Sequence, residues 1–130
     1  MELIVVIILL GVMTGIAIPR YSSTLEKSHL QDAIMQLTAI HAANQIMFAR
    51  TGAYWPPVNP RVVYSLAEIN AALNLNIIAN GMEYICPNSN LDGFSCTATR
   101  EAPATQFVVQ VTANPISSAN PVCVDGTGCP

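Results

Sequence analysis

The chain begins with an apolar run, MELIVVIILLGVMTGIAIP, which carries one acid at its second position and ends in proline. Residues 3–18 hold no charge, and Thr14 is their single polar side chain. As an α-helix they would extend about 24 Å, marginally less than the hydrocarbon core of a bilayer, which is about 30 Å thick. This length fits a membrane segment, a buried core helix or the core of a signal peptide.

A secretory signal fits this run poorly. No Lys or Arg precedes it, and residues 17–21, Ala-Ile-Pro-Arg-Tyr, lack the small-x-small pattern of a cleavage site. We therefore expect the segment to be retained. Within it, Glu2 costs on the order of 3 kcal/mol unless its carboxylate faces a headgroup, is protonated or meets a cation from another molecule. The third possibility implies assembly with other chains.

The length and composition suit one small domain with an appendage. The chain has 130 residues, of which 52% are hydrophobic, and the excess lies at the N-terminus. We therefore predict an apolar half-helix over residues 1–24 and a globular head over residues 25–130. The net charge of −3 and the five scattered basic residues exclude the phosphate-neutralising surface typical of a nucleic-acid binder.

After Pro19 the pattern becomes amphipathic and no Gly or Pro occurs until Gly52, so one helix is predicted from the start of the chain to about Arg50. His41 and Asn44 fall at the edge of its apolar stripe, where a hydrogen-bonded boundary residue is favoured over a ligand. The stripe needs a sheet to cover it and consists of Leu30, Ala33, Ile34, Leu37, Ile40, Ile46, Met47 and Phe48.

Pro19 disturbs this helix, because it has no amide hydrogen and its ring clashes with the carbonyl of Gly15. We expect the helix to kink or loosen between Gly11 and Pro19. Gly11 and Gly15 also form a G-x-x-x-G element, which allows close helix packing in an apolar setting. Glycine is also common in apolar helices without any packing role, and this explains the pair equally well.

The second half of the chain predicts a short helix and a small sheet. Residues 65–68, Ser-Leu-Ala-Glu, match a capping box that begins a helix to about Leu73. Strands are predicted over residues 82–86, 94–99 and 106–112, and the tail from Ala113 is expected to lack regular structure. The predicted fold is therefore α+β: a long N-terminal helix whose apolar half protrudes and whose amphipathic half packs on a small antiparallel sheet.

All four cysteines lie in the C-terminal third, and an even number there is typical of a domain oxidised outside the cytoplasm. Of the three possible pairings we favour Cys86 with Cys96 and Cys123 with Cys129, because each closes a short loop rich in turn-forming residues. The second pair would close the C-terminal loop. A zinc site is the rival interpretation, but the cysteine spacings that it needs are absent from the sequence.

Motifs for catalysis and for metal binding are absent from the sequence. No glycine-rich phosphate loop follows a strand, no H-E-x-x-H or C-x-x-C occurs, and the acidic residues are dispersed singly. His29 and His41 are twelve positions apart, too far along one helix to share a metal directly. We therefore expect no enzymatic activity, no metal site and no cofactor.

The N-terminal segment resembles that of type IV pilins and of the related pseudopilins of type II secretion. Members of this family begin, after cleavage by a prepilin peptidase, with a phenylalanine-led apolar stretch that has glutamate at its fifth position and proline seventeen residues later. Here Glu2 and Pro19 are seventeen positions apart. Residues 52–56, Gly-Ala-Tyr-Trp-Pro, resemble the turn that often ends the family's long helix. The resemblance covers about the first 55 residues.

This resemblance implies that Glu2, Gly11, Gly15 and Pro19 act in assembly. In the family the glutamate is thought to pair with the N-terminal amine of a neighbouring subunit, and the helix unwinds locally in the filament. The family's first three residues, Phe-Thr-Leu, and its methylated amine are absent here, so Met1 would be the fourth mature position. Either the sequence is a shortened form of a longer precursor, or Met1 is a true start and the usual processing does not apply.

The leading interpretation is a major pilin, the structural subunit of an extracellular filament that is held in the inner membrane before assembly. The implied partners are identical subunits in a helical homopolymer, the pilus assembly machinery and a prepilin peptidase, with no nucleic acid. A pseudopilin of type II secretion is the first alternative. Major pseudopilins often have an acidic calcium-binding C-terminal loop, whereas this tail holds one acid, Asp125. A minor pilin for adhesion or DNA uptake is the other alternative.

Overall fold

The structure, a computed structural model, describes residues 2–57, 63–87, 93–101, 106–126 and 129, but not the side chains of Glu2 and residues 16–20. In these residues the order of elements is α1 (Glu2–Thr51), α2 (Leu66–Leu73), β1 (Glu83–Ile85), β2 (Ser95–Glu101), β3 (Gln106–Thr112) and β4 (Val122–Asp125). The chain is therefore α+β, with the predicted long N-terminal helix and an antiparallel sheet.

The strands form one antiparallel sheet in the order β1-β2-β3-β4. β2 and β3 pair along their whole length, from Ser95 opposite Thr112 to Glu101 opposite Gln106. β3 has its predicted bounds, whereas β1 and β2 differ from prediction by a residue or two at their ends. Alternate side chains of β2 and β3 point to one buried face. They are Cys96, Ala98, Phe107, Val109 and Val111.

The second half of α1 packs on the buried face of this sheet. Leu30, Ala33, Leu37 and Ile40 are buried at alternating spacings of three and four residues, as the amphipathic pattern predicts. These side chains and those of the strands share one hydrophobic core. The helix is thus held along its second half, and the core ends near Asn44 on the helix side.

The prediction that Ile46 and Phe48 belong to this stripe is wrong. Ile46 is 61% exposed, and Phe48 lies at the surface, where its ring stacks on Tyr54 with the centroids 4.3 Å apart. The buried face of α1 continues from Ile40 to Asn44. Because each helical residue turns by about 100°, Ile46 lies about 200° around the axis from Asn44 and faces away from the sheet.

Two polar residues of α1 attach loops to the helix, as expected for boundary residues. Asn44 is fully buried, and its Oδ1 accepts a hydrogen bond from the backbone N–H of Trp55 at 2.8 Å. His41 Nε2 lies 2.9 Å from the carbonyl oxygen of Asn114, so this ring nitrogen carries a hydrogen and donates it. The loop after α1 and the loop after β3 are therefore both held against the helix.

The prediction that the tail from Ala113 lacks regular structure is wrong. The tail returns as β4 and pairs with β3. Asn120 positions the returning chain, because its buried Oδ1 accepts a hydrogen bond from the Thr112 backbone N–H at 2.9 Å and its Nδ2 donates to the Thr112 carbonyl at 3.2 Å. Backbone pairing with the open edge of β3 thus outweighs the weak strand propensity of the tail.

Two disulfides join the pairs that the loop lengths favour. Cys86–Cys96 links the end of β1 to the start of β2, and both of its cysteines are fully buried. Cys123–Cys129 closes the C-terminal loop beside β4. The turn-forming residues 88–92 and 127–128, on which these pairings were predicted, lie outside the described residues.

The helix is continuous through its glycine and proline positions. The backbone of Glu2–Thr51 is α-helical without interruption, so the loosening predicted between Gly11 and Pro19 is not found in the single chain. Helix propagation is cooperative, and one missing hydrogen bond need not end a helix of 50 residues. Within the described residues, no helix combines the length and the apolar character that a membrane crossing requires.

An ion pair fastens α1 to the head near the point where the core begins. The Nη2 of Arg100 lies 3.2 Å from the Oε1 of Glu26, and the Nη1 of Arg100 donates to the carbonyl of Gly81 at 2.8 Å. Glu26 is one turn before Leu30, the first buried residue from residue 21 onward. The predicted boundary between residues 24 and 25 lies just before this ion pair.

Tyr84 of β1 is a buried polar residue whose hydroxyl has no hydrogen-bond partner within the described part of the chain. Burial, and to a smaller extent the negative charge of Asp32, raise the pKa of Tyr84 to about 12. Both effects favour the neutral phenol in the folded chain.

We predict that Tyr84→Phe leaves the free energy of unfolding unchanged or raises it by up to about 1 kcal/mol, because it removes an unpaired buried hydroxyl without breaking a bond. In the unaltered chain the raised pKa contributes stability that is fully present below about pH 10, the unfolded value, and is lost as the pH rises toward 12. Urea unfolding of both chains from about pH 8 to about pH 11 measures both effects. A variant that loses more than about 1 kcal/mol near pH 8 would show that the hydroxyl has a partner.

Candidate functional site

A continuous exposed apolar surface covers residues 3–15 of α1, here called the apolar half-helix. Its large side chains are between 51% and 77% exposed, and none of them belongs to the core. They are Leu3, Ile4, Val5, Val6, Ile7, Ile8, Leu9, Leu10, Val12 and Met13. Fully burying one such side chain contributes roughly 1.5–3 kcal/mol, so a second apolar phase would cover this surface favourably. An exposed apolar surface of this extent marks an interaction site.

Most polar groups of the apolar half-helix are satisfied within α1 itself. The Thr14 hydroxyl lies 3.0 Å from the carbonyl oxygens of both Leu10 and Gly11 and donates to them. The backbone is α-helical throughout, but the first N–H groups of α1 have no preceding turn to accept their hydrogen bonds, and the carbonyl of Gly15 has no donor because Pro19 lacks an N–H. Between these two ends the half-helix can leave water without stranding a polar group, which is the condition for entry into lipid or a helix bundle.

Gly11 and Gly15 leave one side of the apolar half-helix flat. They are four residues apart and so share a face, and no neighbouring group lies within 4 Å of the point where a side chain would begin at either residue. Pro19 continues the row by one further turn of backbone. A second helix could approach closely along this face.

Glu2 lies immediately before the apolar half-helix. The backbone places it about half a turn around α1 from Gly11. Its side chain lies outside the described residues, so the predicted pairing of its carboxylate stays a prediction. The structure thus puts all four residues predicted for assembly on one helix, with Gly11, Gly15 and Pro19 in one row.

A second apolar surface lies between the last turns of α1 and the short helix α2, and is here called the α1/α2 groove. It is open to solvent and has a volume of about 740 Å³. Among its lining residues Arg50 is the one charged side chain, and it lies at the end of the groove near the C-terminus of α1. The lining comprises Ala39, Ala42, Ala43, Ile46, Met47, Arg50, Thr51, Ala72, Leu73, Asn74 and Leu75.

The α1/α2 groove is not among the features predicted from the sequence, because the apolar character of Ile46 assigns that residue to the core stripe. A usable signal exists in the alanines. Ala39 and Ala42 are exposed, Ala43 lies at the edge of the buried face of α1, and Ala72 of α2 lines the same groove. Small residues on two neighbouring helices leave open space between them.

Hydrogen bonding to a carboxylate accounts for the lowered pKa of Glu68. The backbone N–H and the hydroxyl of Ser65 both lie 2.8 Å from its Oε2, and both favour the charged form. This is the predicted capping contact at the start of α2. Across the described residues, no three His, Cys, Asp or Glu side chains gather where a metal could bind. The lack of enzymatic activity and of a metal stays a prediction.

Comparison of the chain with protein-family models, with curated proteins and with solved structures gives no match.

We predict that removing residues 1–24 leaves the head folded, because the side chains of residues 3–15 lie outside the core while the ion pair at Glu26 is retained. The fragment of residues 25–130 should match the full chain in detergent to within about 1 kcal/mol in free energy of unfolding. Urea unfolding followed by circular dichroism measures this difference. Without detergent, the full chain should associate in sedimentation experiments while the fragment stays monomeric. A fragment that unfolds without cooperativity would contradict the boundary.

Proposed function

We propose that the chain is a major pilin, the structural subunit of an extracellular filament whose core is a bundle of apolar half-helices. The observation that carries this proposal is an uncharged half-helix that is exposed along residues 3–15 and continuous with the helix that holds the head. A single copy leaves this surface in water. A bundle of copies buries it and keeps the heads outside.

The spacing of Glu2 and Pro19 supports the same function through its resemblance to type IV pilins. In a bundle the Glu2 carboxylate would need a cation from a neighbouring copy. Any register that leaves the carboxylate unpaired would cost on the order of 3 kcal/mol, whereas a sliding apolar contact changes little. Glu2 would therefore select one register among many of similar packing.

The row of Gly11, Gly15 and Pro19 supports two further steps. The glycines would let neighbouring helices approach closely in the bundle. Pro19 already lacks one helix hydrogen bond, so the stretch from Gly11 to Pro19 is the part of α1 that would unwind at least cost and lengthen the rod. An unbroken helix through Gly15 in an assembled filament would contradict this step.

Before assembly we place the chain in the inner membrane, with the same segment in lipid. Transfer from lipid to the bundle then exchanges one apolar environment for another, and helix packing and the Glu2 pairing decide the outcome. The pilus assembly machinery and a prepilin peptidase are the further partners of this proposal. It requires no cofactor, metal, nucleic acid or enzymatic activity.

A pseudopilin of type II secretion is the alternative, since the apolar half-helix would serve it equally. Two features of the C-terminal region favour the major pilin. The loop after β4 is closed by Cys123–Cys129, and the tail has one acid, Asp125, where a calcium-binding loop needs several oxygen ligands. A minor pilin for adhesion or DNA uptake would share these features and differ in abundance.

Electron microscopy of material sheared from cells, with mass spectrometry of the fibres, tests the proposal. We predict fibres composed mainly of this chain, and we predict that Glu2→Gln lowers their yield at least about tenfold, because the charge that sets the register is lost. Glu83→Gln, an exposed acid on β1, is the matched control and should leave the yield unchanged.

Two other outcomes would contradict the major pilin, and a third would contradict the role of Glu2. A chain found only in the envelope would indicate the pseudopilin, and a chain present at trace level in fibres of another protein would indicate the minor pilin. Fibres that form equally well with Glu2→Gln would remove Glu2 from the assembly mechanism.

A further inference from the structure

We infer that the α1/α2 groove binds the apolar half-helix of a second copy of the chain. The bound half-helix lies parallel to the α1 helix of the copy that provides the groove. This inference rests on the filament proposed above and specifies one of its contacts. It joins the two exposed apolar surfaces, which the fold keeps apart within one chain.

The two surfaces match in chemistry. Residues 3–15 carry no charge, and the single charged side chain of the groove lining is Arg50 at its end. Docking therefore desolvates no charged group over most of the contact, and Arg50 lies at its end. Ile46, which is exposed in the groove, and the branched side chains of the half-helix would all leave water together.

The two surfaces also match in length. On α1 the lining of the groove runs from Ala39 to Thr51, which is about 18 Å of helix at 1.5 Å per residue. The apolar half-helix, from residue 3 to residue 15, is about 18 Å long by the same measure. The groove is thus long enough to accept the whole half-helix.

A chain cannot fill its own groove. The half-helix and the groove floor belong to the same uninterrupted helix, and residue 15 lies about 36 Å along the axis from Ala39. A continuous α-helix cannot fold back over that distance. The occupant is therefore another copy, whose own groove stays free for a third.

The contact is large enough to be specific. A branched aliphatic side chain removes roughly 60–120 Å² from water when fully buried, and about half of the ten large side chains can face the groove. The occupant would then lose roughly 300–600 Å² and the host a similar area. One such contact buries roughly 600–1,200 Å² in total, a range whose upper part exceeds the roughly 1,000 Å² that a specific interface needs.

We infer the parallel orientation because it is the one that allows a filament to grow by repeated addition of copies. In an antiparallel pair each copy would fill the groove of the other, and the two-fold contact would close at two copies. A parallel contact is heterologous, so it repeats without limit. It also shifts successive copies by about 36 residues of helix, or about 54 Å along the axis.

Cysteine cross-linking in sheared fibres tests the orientation. The four native cysteines are all paired, so introduced thiols react alone. Leu3→Cys combined with Ala39→Cys should give a ladder of dimers, trimers and larger products on a non-reducing gel. Leu3→Cys combined with Thr51→Cys should give none, because parallel docking places these residues about 18 Å apart.

A filled groove provides a second test that does not need cross-links. Ala72→Trp places a large ring in the groove and should lower fibre yield at least about tenfold without lowering the melting temperature of the head. Ala71→Trp, the neighbouring exposed residue of α2 that does not line the groove, is the matched control and should assemble normally.

The results of these experiments test the groove contact separately from the existence of the filament. Dimers from the Leu3 and Thr51 pair would establish antiparallel docking and overturn the inference. Normal fibres that cross-link through neither pair, or that tolerate Ala72→Trp, would overturn the groove and leave the filament standing. Absence of fibres from the unaltered chain would overturn both.

Discussion

The continuity of α1 determines how both halves of the molecule are stabilised. One helix, Glu2–Thr51, supplies both the floor of a packed core and a surface that no described part of its own chain covers. A helix within a protein gains its stability mainly from packing of an apolar face, and here the sheet supplies that packing for the second half alone. The first half is helical because it extends a helix that already exists.

The head is built to hold that helix at several separated points. The ion pair of Glu26 with Arg100 lies at one end of the contact, and Asn44 fixes the loop after α1 at the other. Between them the core stripe packs on β2 and β3. The hydrogen bond from His41 to the carbonyl of Asn114 holds the loop after β3 against the same helix. The polar contacts select one position of the helix on the sheet, since an apolar stripe alone permits small slides along the axis.

Hydrogen bonds at both ends of α2 hold in place the helix that forms one wall of the groove. Ser65 and Glu68 cap its start, and Asn70 exchanges two hydrogen bonds of 2.9 Å with the backbone of Ile77 after its end. The helix is therefore fixed at both ends before anything docks against it. A groove of fixed width loses little entropy when a rigid helix enters it, so such a contact depends mainly on shape.

The parts of this fold that follow a local pattern could be predicted from the sequence. The spacing of Leu30, Ala33 and Leu37 identifies the buried helix face, and the alternation in residues 106–112 identifies β3. β4 could not be predicted, because its pairing depends on a turn held by Asn120 and on the free edge of β3. The exposure of Ile46 depends on where the sheet ends, which is a property of the whole fold.

The residue types of the candidate site could be predicted from the sequence, but its three-dimensional shape could not. Glu2, Gly11, Gly15 and Pro19 stand out by type and spacing, and the uncharged run of residues 3–18 predicts an apolar half-helix, whose described side chains over residues 3–15 are exposed. The α1/α2 groove arises from two segments about thirty residues apart in the chain, and local periodicity carries no information on such a pair.

The side-by-side attachment of head and helix has a mechanical consequence. In a fibre built on bundled half-helices, a pulling force would travel along α1 from copy to copy through helix contacts. The sheet, fastened to one flank of that rod by the core and by the bonds at Glu26 and Asn44, would stand beside the line of tension. The surface loops of the head could then change in sequence without weakening the helix contacts that bear the tension.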